Sequence, residues 1–241
     1  MNRRIYFPAA VIGLAAGVVA GCSDAPTDTS GPSTDDLRGH AVTALDFPRS
    51  VFGEWEVTDP EIRPADMIPA IAQAVGTTDE WEVDSADCAP GGRLGAAFWS
   101  TSRGAGPWAG QMGEAPNASQ SFVATVATSD SAGLNAVSDF AEQCADYTVT
   151  AGGRSVAVTT KLANSEPLRY GLSDARVLTT TATVAGDPSQ VFSTLTGVGQ
   201  VDGRVVTGHF TTIGGIEGAV INIAGNWWNI VARKAVSGAT S

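Results

Sequence analysis

Two hydrophobic rhythms organise the chain from Gln120 onward. Residues Gln120 to Thr128 alternate, with Phe122, Ala124 and Val126 on one face and Val123, Thr125 and Ala127 on the other, the period of a half-buried strand. Ser129, Asp130 and Ser131 then offer side-chain oxygens for a helix N-cap. Leu134, Val137, Phe140, Ala141 and Cys144 follow at three- and four-residue steps, so they share one helical face and Cys144 points inward. Tyr147 to Thr150 resumes a strand, Gly152-Gly153 supplies a tight turn, and Ser155 to Lys161 alternates again. The stretch Gln120–Lys161 predicts a compact α+β core with a cysteine at its centre.

Downstream the strand rhythm is almost continuous. Ala175 to Val184, Gln190 to Val198, Arg204 to Thr212 and Ala219 to Ala232 are rich in Val, Thr and Ile. Asp202-Gly203 and Gly225-Asn226 read as hairpin turns, which predicts a closing antiparallel meander. In the last of these strands Trp227 and Trp228 must point to opposite faces, one into the core and the other outward. Upstream, Pro64 to Val75 carries Met67, Ile68, Ile71 and Val75 at helical spacing, with Pro69 either kinking the helix or starting it. Phe98 to Asn117, with its Gly, Pro, Trp99, Trp108 and Met112, reads as a long connection over the sheet. The fold class is therefore α+β, an antiparallel sheet packed with a few helices in one domain over residues 45–236.

The N-terminal pattern is of a different kind. Arg3 and Arg4 precede an apolar run, Ile5 to Ala20, that is short for a membrane span and suited to a signal peptide over residues 1–21. The run ends Val19-Ala20-Gly21-Cys22, which resembles a bacterial lipobox. That resemblance implies cleavage before Cys22, a diacylglycerol on its thiol and an acylated N-terminus. Residues 22–44 are mainly Ser, Thr, Asp, Gly and Pro, a composition that predicts a flexible polar tether with a solvated His40 at its end. The expected location is the extracytoplasmic face of the cell membrane, held by lipid.

Charge narrows the partners. The formal net charge is −11 over 241 residues, and Lys161 and Lys234 are the only lysines. Such a surface repels phosphate backbones, so nucleic acid is excluded as a partner. With Cys22 acylated, Cys88 and Cys144 remain. A pair in an exported chain reads as a disulfide, which a chain-entropy account values at roughly 4 kcal/mol.

Catalytic signatures are sparse. No Gly-x-Ser-x-Gly elbow occurs, and neither lysine follows a serine by three residues. His209 alternates with neighbours in a strand and reads as a sheet residue. Asp79, Glu80, Glu82, Asp84 and Asp87 crowd one loop without EF-hand spacing, and the better reading is a solvated acidic loop. Gly91-Gly92, Gly152-Gly153 and Gly214-Gly215 lack a phosphate-loop context. No catalytic residue, metal site or cofactor is expected. The candidate ligand-contacting residues are Trp99, Trp108 and one of Trp227 and Trp228, aromatic side chains on the long connection and the closing strand; the competing reading has all four plugging the core.

Lipobox, polar tether, Cys88-Ala89-Pro90 before a loop and Phe140-Ala141-Glu142-Gln143-Cys144-Ala145-Asp146-Tyr147 at a helix end together resemble actinobacterial cell-envelope lipoproteins. Within these the chain is similar to the group related to the extracellular sensor domain of the mycobacterial kinase PknH, or to a neighbouring lipoprotein family of unknown function. The resemblance implies an antiparallel sheet and helices around a ligand-binding cleft. That sensor domain carries two disulfides where this chain has cysteines for one, and no binding residue is carried over. The expected function is a non-catalytic, sensor-like ligand- or partner-binding domain. Its alternatives are a lipid or glycolipid carrier and an envelope hydrolase working with paired carboxylates.

Overall fold

The computed structural model describes residues 33–46, 55–58, 69–75, 81–115, 119–129, 133–163 and 169–238. The signal peptide, Cys22, the tether up to residue 32, Met67, Ile68, Asp79, Glu80 and Asp130–Ser131 lie outside them. Among the described residues the helices are α1 (Thr34–Arg38), α2 (Pro69–Val75), α3 (Arg93–Arg103), α4 (Asn135–Gln143) and α5 (Ala219–Ser237). The strands are β1 (Glu56–Thr58), β2 (Glu82–Val83), β3 (Ala105–Glu114), β4 (Gln120–Thr128), β5 (Asp146–Ala151), β6 (Arg154–Leu162), β7 (Asp174–Val184), β8 (Val191–Val201) and β9 (Arg204–Ile213).

All nine strands join one sheet in the order β1-β3-β4-β9-β8-β7-β6-β5-β2, and every neighbouring pair is antiparallel. β5 to β9 form the expected meander. β4 and β5, close in sequence, have four strands between them, and α4 spans the gap across one face, packing on β6 and β7.

The period-two pattern sorts the sheet into two cores. The first face carries Ala127, Val149, Val156, Val158, Leu178 and Val198 beneath α2, α3 and α4. The second carries Phe122, Val126, Val177, Leu195, Val206 and Phe210 beneath α1 and α5. Helix on sheet on helix is thus the layering of this α+β fold. Phe98 of α3 stacks on Phe140 of α4 with ring centroids 4.7 Å apart. Beside them Cys88 and Cys144 are disulfide-bonded, with Cα atoms 5.8 Å apart, tying the turn before α3 to the residue that ends α4.

Four expectations are corrected. Residues 219–232 are not a strand turned at Gly225-Asn226 but most of one helix, α5. Its buried residues Ala224, Trp227, Trp228, Val231, Ala232 and Ala235 recur at helical spacing, and this outweighs the β-branched composition. Of residues 98–117, the described ones, 98–115, are not a connection. They complete α3, which Gly104 ends at φ 64°, and then form β3. Gly106 (φ 68°) and Pro107 cause only a register shift before Trp108 resumes pairing with β4. The folded chain also begins earlier than Leu45. A reciprocal Ser33/Asp36 capping box starts α1, and Leu37 is fully buried. Finally, His40 is part-buried, its Nδ1 lying 3.0 Å from the Ala235 carbonyl oxygen. The helix expected around Ile71 starts at Pro69, where a first-turn proline loses no hydrogen bond.

Candidate functional site

The four candidate tryptophans do not share a surface. Trp99 lies on α3 in the first-face core, and Trp108 on β3 packs half-buried against that same core. Trp227 and Trp228 lie beyond the sheet in the second-face core, 2% and 0% exposed. Successive helical residues point about 100° apart, so both fit within one broad apolar stripe, which a strand would not allow. The sheet leaves room for them where it carries glycine. A Cβ on Gly197 would stand 2.4 Å from Trp228, and one on Gly208 2.6 Å from Trp227. Trp99 on one face and Trp227 and Trp228 on the other therefore pack the two cores rather than share a surface, while half-buried Trp108 also borders a groove.

The concave feature lies between α1 and β3, a groove of about 410 Å³. Ala41, Val42, Ala109 and the candidate Trp108 supply apolar lining, while Thr34, Thr43, Arg38 and Gln111 bring hydroxyls, a guanidinium and a carboxamide. No acid is among the described residues that line it. Its wall is held from three sides. Asp36 accepts from the Ser33 amide at 2.8 Å, Leu37 is seated in the core, and His40 reaches α5. Arg38 pairs with Asp35 at 3.3 Å, but both groups are largely exposed, so the pair is weak and the guanidinium can turn to a ligand. Sequence reasoning named Trp108 and passed over the other lining residues, which fall in segments read as tether and connection. The Ser33-x-x-Asp36 spacing was the one signal of an ordered wall.

A second polar feature is buried. On the first face Thr125, Thr160, Thr180, Thr194, Thr196, Thr207, His209 and Thr211 form a layer of hydroxyls around one imidazole, all under 5% exposed. Thr194 bonds Thr211 at 2.9 Å, Thr207 donates to the Ser102 carbonyl at 2.6 Å, and Thr196 lies 2.9 Å from His209 Nδ1. His209 Nε2 and Ser102 Oγ have no partner among the described residues. Burial disfavours the imidazolium and pushes the His209 pKa down to about 4. His209 is thus a neutral sheet residue at neutral pH.

The acidic run disperses into separate uses. Asp84 accepts from the Thr148 amide at 2.9 Å, a bond that holds its carboxyl below the ordinary carboxylate range, and Asp87 pairs with Arg93 at 2.9 Å. No group of three or more His, Cys, Asp or Glu is placed to hold a metal ion among the described residues.

No family model matches the chain, and no curated protein matches it either. Several solved chains are similar, these two among them. One is the extracellular domain of PknH from Mycobacterium tuberculosis, at 13% identity and a TM-score of 0.48, over 85% of this chain and 96% of that one. The other is an uncharacterised protein of Mycobacterium smegmatis, the Rv0999 ortholog, at 13% identity and a TM-score of 0.39, over 76% of this chain and 90% of that one. The expected likeness to the PknH domain is therefore found, as a likeness in the path of the chain.

Proposed function

We propose that the chain is exported, anchored through acylated Cys22 to the extracytoplasmic face of the cell membrane, and that its domain binds a small polar ligand in the α1–β3 groove without transforming it. The observation that carries the reading is the Cys88–Cys144 disulfide. Such bonds persist in oxidising compartments, in keeping with the signal-peptide pattern of residues 1–21. The groove supports the binding half. Its volume is within the range of small-molecule sites, and it combines an apolar floor with a few convergent polar groups. The same volume favours a small ligand over a two-chain lipid.

Native mass spectrometry of protein purified from its own host tests the binding reading. The expected spectrum shows a non-covalent adduct of a few hundred daltons (a size drawn from the groove's class) that disappears in Thr34→Trp. Thr34 is exposed, so the variant fills the groove while sparing the core. An adduct of lipid mass would favour the carrier reading. An adduct indifferent to Thr34→Trp would remove the groove from the account.

A further inference from the structure

Helix α5 carries no carboxylate of its own in this acidic protein. No Asp or Glu occurs between Ala219 and Ser237, in a chain with 25 of them. The helix packs its Trp-bearing stripe on the second face of the sheet. Opposite that stripe, Asn222, Asn226, Asn229 and Arg233 follow one another at three- and four-residue steps and face outward, Asn229 half-exposed and the others exposed. Two of the large exposed apolar side chains flank this row. Ile221, 52% exposed, stands in its first turn. Leu45, 96% exposed, is held near its last turns by the neighbouring Asp46–Lys234 ion pair of 3.4 Å.

The described chain begins on this same side. Ser33 caps α1, and α1 belongs to the second-face layer with α5, joined to it by His40 and the Ala235 carbonyl. From Ser33 back to Cys22 there are eleven peptide steps, at most roughly 40 Å fully extended. Helix α5 is itself about 28 Å long at 1.5 Å per residue. A bilayer holding Cys22 is therefore within reach of the whole length of α5.

We propose that the outer face of α5 lies against the headgroups of the bilayer to which Cys22 tethers the chain, an inference that rests on the anchoring proposed above. Asparagine carboxamides and Arg233 donate hydrogen bonds to phosphate and glycerol oxygens, and Ile221 and Leu45 enter the interface at the two ends. No carboxylate on the helix opposes contact with anionic lipid. The docking turns α2, α3 and α4 away from the membrane.

The test uses the lipidated full chain in vesicles of phosphatidylethanolamine and phosphatidylglycerol, with a shallow spin-labelled lipid as quencher. A bimane label is placed at Asn226→Cys on α5 or, for comparison, at Glu142→Cys on α4, both exposed positions. Quenching several-fold stronger at position 226 than at 142 is the expected result. Equal quenching in a chain that sediments with the vesicles overturns this inference and leaves the anchor standing. A chain that does not sediment overturns the anchor and this inference with it. Protection of position 226 in detergent that grows with protein concentration would assign the surface to a second copy, and would likewise overturn it.

Discussion

His209 is the residue at which the core is least conventional. A valine would fill a sheet position under helices without an unpaired nitrogen, yet the chain keeps an imidazole 1% exposed with one nitrogen near Thr196. Among the described residues no acid is paired with it across the sheet. Its neighbours across β4 and β8 are Val123 and Thr196, and α2 contains no charged residue. On α3, Arg93 is paired with Asp87 and Arg103 is exposed; on β7, Arg176 bonds Ser138 and Asp174. The folded pKa, about 4, is below the ordinary 6.5, so between those values the unfolded state binds a proton that the folded state refuses. Stability contributed by neutral His209 is therefore complete above pH 6.5 and is lost as pH falls toward 4. Each pH unit in that window costs about 1.4 kcal/mol, or about 3 kcal/mol in all. Urea unfolding at pH 7 and pH 4.5 should show a steeper loss in the natural protein than in His209→Gln. Parallel losses in the two proteins would refute the assignment.

The seat of α5 shows how single positions fix a whole element. Gly197 and Gly208 are strand residues whose missing side chains make room for Trp228 and Trp227. Gly197→Ala would bring a methyl to 2.4 Å from Trp228, a ring with no exposure and no space to swing aside. Overpacking of this kind costs about 1–3 kcal/mol. Thermal unfolding of Gly197→Ala should show a Tm lowered by several degrees, partly restored by adding Trp228→Leu; an unchanged Tm would mean that α5 does not rest on this strand. In sequence the same residues pointed elsewhere. Valine, isoleucine and paired tryptophans around Gly225 carry strand propensity, and only tertiary packing makes them a helix. Strands with clean alternation (β4, β6, β7, β9) were legible almost to the residue because each has two distinct faces. β3 was not, since Gly104, Gly106 and Pro107 look like loop chemistry until β4 pairs with Trp108 to Glu114. The groove was the least legible feature, because a short capped helix inside a polar segment and a glycine-rich strand become one site only when the sheet order brings them together.

Across the whole molecule the layers have separate duties. The first face is tied by the Cys88–Cys144 bond, which closes 56 residues of chain and is worth roughly 4 kcal/mol through the unfolded state. The second face holds α1, the groove and α5, and the described chain begins there, at Ser33. No helix among the described residues is long and apolar enough to cross a membrane; the attachment proposed above is the lipid on Cys22. The direct test is the intact, non-reduced mass of the protein taken from the membrane fraction of its host. The account predicts a chain beginning at Cys22, heavier than its sequence by a diacylglycerol and an N-terminal acyl group and lighter by the two hydrogens of one disulfide. Cys22→Ala should carry neither lipid and leave the carbonate-washed membrane. An unmodified Cys22, or a Cys22→Ala protein that stays with the membrane at unchanged mass, would contradict it.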